Sequence, residues 1–196
     1  VVVTELTPSD CTKDKPATNW NSTLMDQIVR DFMAAVCGPD AINGACEKSV
    51  VQQLSTMPGW IYEGGMSADG LPDYAWNTTN PFSEYTAGGA LKDKTCGQLA
   101  RYFTRLIAWY TNGGFHDECG HWHASGFNYT WWGVSVLNED EHHIQPDDGT
   151  AYTQCFDAIQ VEVSKLEKRP VLVGPEIAGG LDYLLYFLNA SHHADG

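Results

Sequence analysis

The 196 residues are enough for one domain with a sizeable buried core, and 43% hydrophobic with 18% charged residues is the make-up of a folded globular chain, not a disordered one. A formal net charge of −14 argues against a nucleic-acid backbone or an anionic membrane face as partner, because both are held by clustered Lys and Arg. No apolar run approaches the roughly 18–20 residues that a membrane helix needs. Neutral ligands such as sugars stay open, and so does a plain self-repelling surface.

Val1–Leu6 is a short β-branched run that predicts a first strand. Without an initiator Met or a signal-like segment, Val1 reads as a processed or truncated start. A helix is expected from Thr23, with Asp26 three residues on as a capping-box-like partner. Leu24, Ile28, Val29, Phe32, Met33 and Val36 fall on one helical stripe, which Gly38-Pro39 ends. A second strand fits Val50–Thr56. Pro58 to Lys94, rich in Gly, Pro, Asn and Asp, reads as a long loop. Leu99, Tyr102, Phe103, Leu106, Ile107 and Tyr110 then repeat at helical spacing up to Gly113-Gly114. A third strand fits Trp131–Leu137, followed by a helix lined by Tyr152, Cys155, Phe156, Ile159, Val163 and Leu166. Val171–Val173 is a brief fourth strand and Leu181–Leu188 a last short helix.

Four Asn-x-Ser/Thr tripeptides, at Asn21, Asn77, Asn128 and Asn189, are candidate glycosylation acceptors. With six cysteines, an even number, they predict an oxidising compartment and a secreted protein. Cys37 and Cys46 flank a short Gly-Pro and Asn-Gly loop and are the pair most readily proposed. The pairing of Cys11, Cys96, Cys119 and Cys155 is left open.

Strand–helix units in succession imply a single α/β domain with a parallel sheet and right-handed crossovers. Two architectures fit: an open doubly wound sheet, or part of a (β/α) TIM-type barrel with about four βα units. No Gly-x-Gly-x-x-Gly follows the first strand, so no dinucleotide site and no cofactor is assigned. Just past the expected strands stand Glu5, Trp60, Asn138-Glu139 and Glu176. The C-terminal strand rim is where a barrel places its chemistry.

Glycoside hydrolysis usually needs two carboxyl groups, one to protonate the leaving oxygen and one to attack the sugar or activate water. Glu139 is the candidate for the first role, since it follows an apolar, aromatic-rich strand where partial burial would favour the neutral carboxyl. Against this, Asp140 and Glu141 follow, and an acidic run is also what a solvated loop looks like. Glu176 reads equally as a second carboxylate or as a rim residue bonded to a neighbour. Asn138 could hydrogen-bond a sugar hydroxyl, Trp60 could offer its ring face to a pyranose, and His142 could orient the Glu139 loop. Trp122, Trp131 and Trp132 are further aromatic candidates. His116, Cys119, His121 and His123 invite a metal reading, but their spacing is no familiar zinc pattern and a secreted Cys is more often paired. No metal is therefore assigned.

The run Phe115–His142 resembles the fourth-strand region of proteins similar to glycoside hydrolase family 39. It holds an Asp-Glu-x-Gly segment, a His-x-Ser-Gly step, a strand ending Asn-Glu, and then Glu-His. Ser55–Trp60 is similar to the third-strand end, Val1–Leu6 to the second-strand end, and Tyr183–His193 to the segment leading to strand six. The resemblance implies a retaining glycosidase whose acid/base Glu follows Asn on strand four, a position matched by Glu139. It also implies that this chain contributes only strands two to five. The family's nucleophile, at the end of strand seven, would lie elsewhere, and Glu176 aligns with strand five. Either further polypeptide or self-association would then complete the barrel, because open strand edges with uncovered apolar faces invite pairing. The expected partner is a carbohydrate substrate. The competing expectation is a non-catalytic glycoprotein that keeps the fold for carbohydrate binding or assembly.

Overall fold

A computed structural model describes residues 23–54, 61, 63, 89–139, 144–145 and 148–194. The Val1–Leu6 strand, Glu5, Trp60, His142, the sequons at Asn21 and Asn77 and most of the Pro58–Lys94 loop lie outside the described residues. In chain order the helices are α1 (Thr23–Cys37), α2 (Gly97–Thr111), α3 (Thr150–Val163) and α4 (Leu181–Phe187). The strands are β1 (Val51–Leu54), β2 (Gly89–Ala90), β3 (Gly114–His116), β4 (Trp122–Ala124), β5 (Gly133–Val136), β6 (Ile144–Gln145) and β7 (Val171–Val173).

The central sheet is parallel, in the order β1-β5-β7. β5, between its two parallel neighbours, is buried at all four positions, Ser135 included. Register places Gln52, Val134 and Leu172 in one row and Leu54 with Val136 in the next. The apolar members of these rows share one core with Val29 and Met33 of α1, Phe103 and Ile107 of α2, Tyr152 and Ile159 of α3, and Tyr183 and Phe187 of α4. The helices therefore all contribute to the same side of the sheet. On the opposite side Val51 is 46% and Val171 54% exposed. Two short ladders flank this sheet: β2 with β6, parallel, and the antiparallel hairpin β3–β4.

Local chemistry explains the element ends. α1 stops where Gly38 takes φ 90°, and α2 where Gly113 takes φ 76°, conformations in which a Cβ is strained. The stripe on α1 is only partly core: Val29 and Met33 are buried, whereas Ile28, Phe32 and Val36 are exposed. Asp26 does not serve merely to start α1. Its Oδ1 accepts from Trp109 Nε1 and Tyr110 Oη of α2, both at 3.0 Å, and so joins the two helices. Burial and this carboxylate together push the Tyr110 phenol well above its ordinary value.

Cys37 pairs with Cys46 as the loop between them suggests, and Cys96 pairs with Cys155. Cys119 is disulfide-bonded as well. No described helix is long and apolar enough to cross a membrane.

Candidate functional site

The C-terminal ends of β1, β5 and β7 converge on a small polar rim. Leaving β5, the chain turns through two left-handed residues, Leu137 at φ 63° and Glu139 at φ 54°, with Asn138 between them. Such a conformation costs a non-glycine residue about 1 kcal/mol or more and persists only where neighbours hold it. Both neighbours do. The Leu137 N–H donates to the Leu54 carbonyl of β1 at 2.8 Å, and the Glu139 N–H donates to the Glu176 carbonyl beyond β7 at 2.7 Å. The Asn-Glu step is thus pinned across all three strand ends.

Side chains tie the same three segments. Gln53 of β1 donates from Nε2 to Asn138 Oδ1 at 2.7 Å and also to Glu176 Oε2. One amide group thereby fixes both the orientation of Asn138 and the position of Glu176. Asn138, Glu139 and Glu176 are all half-buried, so they are held by protein yet reachable from solvent. Behind the rim, Gly174 leaves no room for a side chain: a Cβ there would lie 2.5 Å from the Tyr152 hydroxyl. That hydroxyl donates to the Val136 carbonyl at 3.0 Å, anchoring α3 to the last residue of β5.

Of the residues singled out by sequence, Asn138, Glu139 and Glu176 are brought together. Glu5, Trp60 and His142 lie outside the described residues. Gln53 is not conspicuous in the sequence, although strand alternation carries the signal: it shares a row with Ser135 on the side of the sheet away from the helices. The other tryptophans do not join the rim. Trp131 is buried against Tyr110, with ring centroids 5.5 Å apart. Trp132 directly precedes β5, at the opposite end of the strand, and Trp122 lies in the β3–β4 hairpin. That end is marked by Asn112, after α2, whose Nδ2 donates to the Lys168 carbonyl just ahead of β7 at 3.0 Å.

The histidine-rich segment is a structural hairpin organised by Asp117, whose side chain is almost wholly buried. Its Oδ1 accepts from the N–H groups of Cys119 (2.9 Å) and His121 (2.8 Å), and its Oδ2 accepts from His123 Nε2 at 2.8 Å. Cys119 is committed to a disulfide, and no group of three or more potential metal ligands gathers among the described residues. Burial opposes ionisation of Asp117, but the His123 and backbone hydrogen bonds outweigh it and hold the carboxyl below its ordinary value of 3.8. Asp117→Ala strands three donors and should cost about 2–4 kcal/mol, a fall in Tm on the order of 10 °C. Since the folded carboxyl titrates lower than the unfolded one, its stabilisation is complete above the ordinary value of 3.8 and fades as pH falls through the lowered value. Urea midpoints of the two proteins should therefore differ at neutral pH and converge in strong acid.

No family model, curated protein or solved structure matches this chain. The functional reading rests on the rim and on the sequence around it.

Proposed function

We propose that the chain is one wall of a (β/α)-barrel glycosidase of the secreted, retaining type, with Glu139 as general acid/base. The observation that carries the reading is the pinned Asn138-Glu139 step: a carboxyl group on a twice-kinked backbone whose N–H groups, at Leu137 and Glu139, donate to carbonyls of the segments on either side. Preorganisation of that kind suits a group that must meet a glycosidic oxygen in one geometry. Sequential parallel strands with every helix contributing to one side favour a barrel wall over a doubly wound sheet, which carries helices on both sides. The face bearing Gln53 is then the one the barrel closes around.

Glu176 takes a hydrogen bond from Gln53 and offers its carbonyl to Glu139, which fits a residue that positions the acid/base step and a sugar hydroxyl. The nucleophile would come from polypeptide that completes the barrel, as the exposure of Val51 and Val171 suggests. The disulfides fit an oxidising, extracellular setting. A second reading, a carbohydrate-binding module with no turnover, is favoured by the same Gln53–Glu176 tie, because it leaves the described rim with one carboxylate less committed to positioning than the other. Assays of the protein and its Glu139→Gln variant on neutral polysaccharides decide between them. Turnover that the substitution abolishes supports the glycosidase, whereas binding without turnover in both proteins replaces it with the binding module.

A further inference from the structure

We propose that His193 is a protonation-dependent latch that fastens residues 190–194 onto α3 and the end of α4. The short helical turn Ala190–His192 follows α4 directly, and Asn189 caps it by accepting from the Ser191 N–H at 3.1 Å. Beyond the turn, both ring nitrogens of His193 face acceptors. Nδ1 lies 2.7 Å from Asp157 Oδ1 of α3, and Nε2 lies 2.6 Å from the Phe187 carbonyl of α4. A neutral imidazole has one N–H and one lone pair, so it can satisfy only one of these contacts. Only the imidazolium donates to both.

The surrounding groups reinforce the charged form. Asp157 reaches the same segment a second time, since its Oδ2 accepts from the Ala194 N–H at 2.8 Å. On α4 the neighbour is the Phe187 ring, which meets the imidazole edge-on at 5.1 Å. The Tyr186 ring stacks on His192 at 3.8 Å, and its carbonyl lies 2.9 Å from His192 Nδ1. From α3 the group facing His193 is the Asp157 carboxylate, from α4 it is the Phe187 carbonyl and ring, and within the turn His192 precedes it. The hydrogen bond to Asp157, with that to the Phe187 carbonyl, raises the His193 imidazole above its ordinary value of 6.5, against the opposing effect of burial.

A base whose folded value is raised stabilises the fold fully below its unfolded value. That contribution is lost as pH rises through the folded value. The latch therefore holds in mildly acid solution and opens on alkalinisation, from about 6.5 upward. Opening frees the segment from α3 along the cleft lined by Gln154, Ala158 and Val161.

The test is an NMR titration of the imidazole nitrogens in the intact chain, together with amide exchange at residues 191–194. Expected are two protonated ring nitrogens on His193 at pH 6.5, a midpoint above the ordinary value of 6.5, and exchange at the Ala194 amide that speeds up at least tenfold, beyond the intrinsic pH effect, across that midpoint. Asp157→Asn should lower the midpoint and remove the extra exchange step. A wild-type His193 carrying a single proton at pH 6.5, or protection at Ala194 that does not change across the titration, overturns the latch whether or not the variant folds.

Discussion

Glu139→Gln should slow hydrolysis of a glycoside with a poor, alcohol-type leaving group by about 10²–10⁴-fold, while an activated aryl glycoside loses far less. The amide is close to the carboxyl in size and can keep the left-handed backbone at φ 54° and the N–H bond to the Glu176 carbonyl. What it cannot do is give up a proton to the departing oxygen. A poor leaving group needs that proton in the transition state, and an activated phenolate hardly does. The contrast between substrates separates chemistry from folding, since a misfolded variant would lose both activities alike. Equal losses on the two substrates, with native thermal stability retained, would remove Glu139 from the acid/base role.

Half of the rim is legible in the sequence. Asn138-Glu139 and Glu176 stand out because carboxylates directly after apolar strands are chemically conspicuous. Gln53 does not stand out, since a neutral amide in Val-Gln-Gln-Leu reads as ordinary strand filler until alternation assigns it a side. The main elements were legible because periodicity and glycine stops agree: α1 runs from Thr23 and ends at Gly38, and β7 occupies Val171–Val173. Periodicity fails where a strand is two residues long, as in β2 and β6, whose pairing joins Gly89 to Ile144 across the chain. It also marks a stripe without saying how much of it is covered, and so Ile28 and Phe32 of α1 remain exposed beside buried Val29 and Met33. The hairpin misleads differently. Its histidines resemble a ligand set, while the residue that organises them is a single buried aspartate amid polar neighbours.

The Cys96–Cys155 bond is expected to outweigh Cys37–Cys46 in stability, and the reason lies in the chain between the partners. Cys96 stands at the start of α2 and Cys155 within α3, 59 residues apart, and that stretch includes β5 and the β3–β4 hairpin. Closing a loop of this length removes unfolded-state freedom worth about 4 kcal/mol in the chain-entropy model. Cys37 and Cys46 are separated by 9 residues, for which the same model gives about 2.6 kcal/mol. Cys96→Ala with Cys155→Ala should thus lower Tm by about 8–16 °C, and the pair Cys37→Ala with Cys46→Ala by about 5–10 °C. Cys96 and Cys155 are also both buried, so the double variant leaves an unfilled space between α2 and α3 that adds to the loss. Circular dichroism melts of the two double variants give the comparison directly. A larger fall for the Cys37–Cys46 pair would mean that the α2–α3 contact is held by apolar packing alone, with the bond between them contributing little.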